Sequence, residues 1–368
     1  MVFSPETTST LELLAPGSVE RTFVFGDVRP FAQCHASTLV ETGTGRYLLA
    51  FFAGTREGHR DVAIWTAERG AESSEARNST GDVGRMPKPR PFDAPRLAVK
   101  VADVAHWNPA LYRLQAPEAP EAGEIALQLK VGASIRSWQT WLARSRDGGR
   151  TFDGATPLVA GDRGGRGAVR NKPIRLASGD WLAGASTEAW RRWDAFFDRS
   201  TNGVDGWVAT AKVAIDRAAF RGKGLIQPTL WESVPGKVHA LFRTTDGRIH
   251  RSDSEDDGRT WSTAYPIDVP NNNSALDLAR LADGTLALAC NPVAGKRAPR
   301  TPLSLLFSRD NGASWPFRLD VETGPGEFSY PAVIASGEGL VLCYTWNRRR
   351  IAFVRIPKVR GLLDAGRA

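Results

Sequence analysis

An octet recurs along this chain at nearly constant spacing: Ser145-Arg-Asp147-Gly-Gly149-Arg-Thr151-Phe152, Ser254-Glu-Asp256-Asp-Gly258-Arg-Thr260-Trp261 and Ser308-Arg-Asp310-Asn-Gly312-Ala-Ser314-Trp315. A fourth copy, Ser200-Thr-Asn202-Gly-Val-Asp-Gly-Trp207, is degenerate but in phase, so the serines at 145, 200, 254 and 308 are separated by 55, 54 and 54 residues. Self-similarity at such a period is the mark of a repeat architecture. The octet itself reads as a hairpin turn. Its Asp accepts backbone N–H bonds, its Gly supplies positive φ, and its last aromatic packs between sheets. This is a structural element rather than a site of chemistry.

A second repeat gives the copy number. An apolar strand runs to a turn and a second apolar strand returns at residues 36–52, 109–130, 173–186, 228–242, 278–290 and 331–344. Helical periodicity is nearly absent. The 36 Gly and 23 Pro are spread along the chain, as suits many short strands joined by tight turns. The pattern predicts an all-β, six-bladed β-propeller with four-stranded antiparallel blades, one domain spanning 1–368, with the polar stretch 71–90 as a loop insertion.

Aligning the hairpins places six polar residues just before the inner strands: His35, Asn108, Lys172, Gln227, Asp277 and Tyr330. In a propeller these positions ring one mouth of the central channel. A second tier lies where the return strands end, with Arg56, Glu188 and Arg243, and Arg300 opens the strand that leads into the last octet. Guanidinium groups converging on a concave site suit a carboxylate or sulfate, which the fork binds bidentately.

Composition narrows the partners. The chain has net charge +8, but its densest basic clusters, at 163–170 and 348–350, are short, and nothing resembles a nucleic-acid recognition module. Cys34, Cys290 and Cys343 stand in no metal spacing and too few for a disulfide framework, and the dispersed histidines form no ligand motif. No cofactor or metal is expected. No apolar run reaches the length of a membrane span, and the N-terminus lacks the charged and apolar regions of a signal peptide; a cytoplasmic location is expected.

Nearly the whole chain resembles the sialidase (neuraminidase) superfamily, in particular its BNR/Asp-box, exo-α-sialidase-like branch. The octets are its Asp-boxes. Further matching segments are Cys34-His-Ala-Ser-Thr-Leu, Gly54-Thr-Arg-Glu-Gly-His-Arg-Asp61, His106-Trp-Asn-Pro, Asn171-Lys-Pro-Ile, Ile226-Gln-Pro-Thr-Leu and Ser329-Tyr-Pro-Ala-Val-Ile. The resemblance implies a hydrolase acting on a terminal acidic sugar of a glycan, with Tyr330 as nucleophile and Asp61 as acid/base. It also implies that Arg243 and Arg300 clamp the carboxylate, with Arg56 as an additional arginine; His59 is close enough to Asp61 to compete for its role.

Two positions depart from the pattern. His35 stands where the superfamily has the first arginine of its triad, and Gln227 stands where it has the glutamate that activates the tyrosine. In this reading His35 and Lys172 add positive charge, Asn108 and Gln227 orient hydroxyls, and Asp277 and Glu188 complete the substrate-binding set. The residues leave open two other readings: a lyase that eliminates across a uronate by His/Tyr chemistry, and a propeller that binds an acidic glycan without turning it over.

Overall fold

A computed structural model describes residues 5, 7–11, 18–71, 90–114, 123–162, 164–296 and 298–365; most of the expected insertion at 71–90 lies outside them. Six antiparallel sheets follow one another along the chain as the blades of a propeller. Their inner strands are Gln33–Gly43, His106–Arg113, Ile174–Arg175, Leu225–Val234, Asp277–Arg280 and Phe328–Ser336. Helix is confined, among the described residues, to Arg360–Ala365.

Two short N-terminal strands modify the expected blades. Glu20–Phe23 is the outer strand of blade 6, antiparallel to Arg350–Ile356. Thr7–Thr10 adds a fifth, parallel strand to blade 5 against Phe317–Glu322. One end of the chain therefore completes the last blade and closes the circle, pairing the outer edge of Arg350–Ile356 that would otherwise be open. Arg69 of blade 1 donates to both oxygens of Glu20, at 2.5 and 3.0 Å, and both side chains are buried at this seam.

The core is divided among the blade interfaces. Within the strand Arg46–Gly54, Leu48, Ala50 and Phe52 pack toward blade 2, whereas Tyr47, Leu49, Phe51 and Ala53 pack toward blade 6. The period-2 alternation of a strand sends successive side chains to opposite faces, and here both faces are covered. Five comparable clusters of buried residues, besides the one between blades 1 and 2, occupy the remaining interfaces.

The octets sit where the third strand of a blade turns into the fourth. Asp147 Oδ1 accepts from the Thr151 N–H at 2.9 Å, Oδ2 accepts from the Thr151 hydroxyl at 2.6 Å, and the Ser145 hydroxyl accepts from the Gly149 N–H at 2.8 Å. The copies at 254 and 308 repeat these bonds. Gly149 has φ +93, and a Cβ there would collide with the Leu48 side chain of blade 1. The closing aromatics enter the interface with the preceding blade; Trp261 stacks on Phe197 at 3.9 Å.

Burial pushes the Asp147 and Asp256 carboxyls up, but the bonds from Thr151 and Thr260 outweigh it and hold both at about 2, below the ordinary 3.8. A folded-state value below the unfolded one stabilises the fold above the unfolded value and loses that contribution as pH falls. The thermal midpoint is therefore expected to fall between about pH 4 and pH 2. An Asp147→Asn, Asp256→Asn double variant should have a lower midpoint at neutral pH and a shallower acid slope. An unchanged slope would show that these turns do not set acid stability.

Candidate functional site

Antiparallel blades put the octets and the inner hairpin turns at one end of the channel. The starts of the inner strands, the ends of the return strands and the loops that follow them lie at the other. Four inner strands begin with the same irregularity. Register slips between His35 and Thr38, Trp107 and Ala110, Ile226 and Thr229, and Ser329 and Ala332. At each slip one residue is left-handed: Ala36 (φ 54°), Asn108 (40°), Gln227 (52°) and Tyr330 (53°). Such residues cost about 1–3 kcal/mol each and persist where the surroundings impose them. A bulge re-aims the side chain it carries.

This geometry corrects the expected ring. Asn108, Gln227 and Tyr330 are equivalent, but the blade 1 counterpart is Ala36, and His35 lies one residue ahead of it. In blades 3 and 5 the inner strands have 2 and 4 residues, and neither Lys172 nor Asp277 is left-handed.

Tyr330 is the centre of the site. Its ring is partly exposed and its hydroxyl accepts from Arg243 Nη1 at 3.3 Å. Arg243 also donates to Gln227 Oε1 at 3.0 Å and, through Nε, to Asn273 Oδ1 at 2.9 Å. Three guanidinium carbons lie around the phenol ring: Arg170 at 5.2 Å, Arg300 at 5.6 Å and Arg243 at 6.0 Å. Arg170 is buried and donates to the carbonyls of Tyr330 and Pro331 at 2.7 and 2.9 Å, so it braces the bulge from behind.

His35 packs on the same ring, with centroids 4.3 Å apart. It is 2% exposed and neither ring nitrogen has a partner among the described residues. Burial, then the charges of Arg348, Arg300, Arg170 and Arg243, push its imidazole well below the ordinary value and keep it neutral. It therefore does not supply the positive charge expected of it.

That charge comes from a residue the sequence did not single out. Arg348, left-handed at φ 55°, donates from Nε to both oxygens of Glu327, at 3.2 and 3.0 Å, and pairs with Glu57 through Nη1. Arg300 donates to the same Glu327 at 3.0 Å. Burial raises the Glu327 carboxyl, but Arg348 and Arg300 more than offset this and hold it below its ordinary range. Arg170 and Arg348 lie in the two basic clusters visible in the sequence; Glu327 and Asn273 carried no signal.

The remaining expected residues separate into two groups. Arg56 is exposed, and its side chain has no partner among the described residues. Glu188 has an enclosed Oε1 without a partner; burial raises its carboxyl against the opposing charges of Arg243, Lys130 and Lys223. It borders a cavity of about 310 Å³ that Trp138 and the exposed Trp190 also line. Asn108 donates to the Val169 carbonyl at 3.0 Å.

Asp277 and Lys172 belong instead to the frame. Asp277 is 1% exposed and accepts from Lys172 Nζ at 2.7 Å, Thr229 Oγ1 at 2.8 Å and the Val333 N–H at 2.9 Å. Lys172 donates further to the Leu278 carbonyl. A carboxylate spent on three internal donors is not an open ligand for a sugar.

Asp61 lies in the loop after the blade 1 return strand. Its oxygens accept from the Thr55 N–H at 3.0 and 3.2 Å, the Thr55 hydroxyl at 2.6 Å and His59 Nδ1 at 2.7 Å. Burial raises its carboxyl, but the bonds from Thr55 and His59 hold it below the ordinary value.

Residues 45–343 match the model of the BNR repeat-like domain, and the chain belongs to that family. No curated protein matches it. Among solved structures, a Dyadobacter fermentans protein of unknown function superposes with TM-score 0.67 at 15% identity, over 93% of this chain and 100% of that one. The NanB sialidase of Streptococcus pneumoniae gives 0.66 at 12% identity, over 92% of this chain and 70% of that one. The Trypanosoma rangeli sialidase gives 0.68 at 14% identity, over 96% of this chain and 62% of that one. The chain thus shares the sialidase fold, at identities that speak for the fold alone.

Proposed function

We propose that the protein is an exo-acting retaining glycosidase that removes a terminal acidic sugar from a glycan. The observation that carries this is Tyr330, a partly exposed phenol held by Arg243 and surrounded by guanidinium groups. A phenol is uncharged while the substrate binds, so it does not repel the anionic sugar that the arginines attract. The T. rangeli sialidase has a structure described as a covalent intermediate with 2,3-difluorosialic acid, which supports covalent catalysis on this fold.

In this reading Arg243 and Arg300, with the unpaired Arg56 at the rim, hold the sugar carboxylate. Tyr330 loses its phenolic proton to solvent, and its oxygen bonds to the anomeric carbon as the bond to the aglycone oxygen breaks. A donor on the 55–61 loop protonates that oxygen. Water then attacks the anomeric carbon, the loop group takes up the water proton, and the phenolate leaves and recovers its own proton from solvent. Gln227 cannot take a proton and acts through its bond to Arg243.

One observation favours a second reading. The His35 ring lies against the Tyr330 ring with centroids 4.3 Å apart, the pairing of imidazole and phenol that elimination α to a uronate carboxylate calls for. Incubation with sialosides and with uronate-capped oligosaccharides separates the two. Hydrolysis releases a free acidic sugar without new ultraviolet absorbance, whereas elimination yields an absorbing unsaturated product. Binding of these glycans with neither product would mean a lectin-like protein and would overturn the enzyme reading.

A further inference from the structure

We propose that the group that protonates the departing oxygen is the His59 imidazole, through Nε2, and that Asp61 is a positioning residue that orients it. This rests on the glycosidase reading above.

The oxygens of Asp61 are already committed to their own loop. Oδ1 accepts from His59 Nδ1 at 2.7 Å and the Thr55 N–H at 3.2 Å; Oδ2 accepts from the Thr55 N–H at 3.0 Å and the Thr55 hydroxyl at 2.6 Å. Behind the carboxylate is backbone: a Cβ built on Gly54 would lie 2.7 Å from Oδ1. A carboxylate that accepts from three donors, with the Thr55 N–H shared between its two oxygens, has little reason to carry a proton.

His59 differs in its bonding, not in its exposure: the two side chains are 40% and 44% exposed, but the Nδ1 of His59 is satisfied by Asp61 while its Nε2 has no partner among the described residues. An imidazole with Nδ1–H fixed on a carboxylate presents Nε2 outward, where it can hand on a proton and take one back.

The loop is held at the right end of the channel. Glu57 pairs with Arg348, which shares Glu327 with Arg300 beside Tyr330. Gly58 sits over the Trp107 ring, next to Asn108, and Val62 and Trp107 belong to the cluster on which Tyr330 packs. The charged groups around this turn are Asp61, Arg56, Glu57, Arg60 paired with Asp103, and Lys100, which is bonded to the carbonyls of Arg60, Val62 and Val104.

In the first step the bond from the anomeric carbon to the aglycone oxygen breaks with its electron pair on oxygen. That oxygen takes the proton of His59 Nε2, while the Tyr330 phenolate forms the new bond to carbon. In the second step Nε2 takes a proton from the attacking water and the phenolate departs, which restores both groups.

The test is leaving-group dependence of kcat/KM, which reports the first step. Two glycosides of the same acidic sugar are compared, one with an alkyl aglycone that needs protonation and one with a 4-nitrophenyl aglycone that does not. His59→Gln is expected to lower kcat/KM about 10²–10⁴-fold on the alkyl glycoside, the range of general acid catalysis, and less than about 10-fold on the nitrophenyl glycoside. Asp61→Asn should show the same selectivity with a smaller loss.

Equal losses on both substrates, no loss on either, or a larger alkyl-selective loss in Asp61→Asn than in His59→Gln would overturn the assignment. Circular dichroism of each variant excludes misfolding as the cause. Wild-type protein that turns over neither glycoside would remove the glycosidase reading itself, a result distinct from an active wild type with unselective variants.

Discussion

Tyr330→Phe is expected to lower kcat/KM on the acidic-sugar substrate about 10³-fold or more, equivalent to about 4 kcal/mol of transition-state stabilisation. The substitution removes one oxygen. That oxygen's bond to Arg243 is long, at 3.3 Å, whereas the ring keeps its contacts with His35 and the guanidinium groups. Arg243 retains Gln227 and Asn273 as partners, so the site should keep its shape and its affinity for an acidic sugar. Steady-state kinetics and calorimetric titration with the free sugar measure the two separately. A loss of activity below about 10-fold would exclude Tyr330 as nucleophile; a parallel loss of affinity would mean that the hydroxyl binds rather than reacts.

The propeller was legible because its signals are local. Each octet closes on itself within eight residues, with Ser145, Asp147, Gly149 and Thr151 bonded to one another, so the sequence must carry all of them together. The alternation that packs Leu48 toward one neighbour and Leu49 toward the other is equally local. Ring closure was not legible. Glu20–Phe23 has 4 residues, of which only Phe23 is apolar, and its partner lies more than three hundred residues away.

The site was legible where it follows the phase of the repeat. Tyr330, Gln227 and Asn108 share a backbone bulge, each preceding a proline, and hairpin alignment found them. Blade 1 has Ala36-Ser37 there instead, so alignment on polarity selected His35, one residue early. Arg348 and Arg170 act across long separations, 291 residues to Glu57 and 160 to Tyr330. Nothing in their local sequence gives the phase that brings them to the ring. A basic cluster shows that charge is present, but not which side chain reaches the axis.

Asp277→Ala is expected to destabilise the fold by about 3–5 kcal/mol, the cost of breaking a buried charged pair by removing one partner. One carboxylate here gathers donors from three other blades: Lys172 leading into blade 3, Thr229 of blade 4 and the Val333 N–H of blade 6. Thr229 is buried and Val333 is inaccessible, so their donors would face no replacement acceptor, and the Lys172 ammonium would keep only the Leu278 carbonyl. The same strands carry Gln227 and Tyr330 two or three residues away, so activity should fall together with stability. Guanidinium unfolding measures the first effect, and Asp277→Asn, which keeps an acceptor oxygen but loses the charge, should fall between wild type and Ala. A midpoint unchanged in Asp277→Ala would show that the axial junction is held by packing between blades, and would return Asp277 to the candidates for contact with the sugar. The prediction thus separates the two uses of a polar residue on a propeller axis: one holds the blades in register, and the other remains open to a ligand.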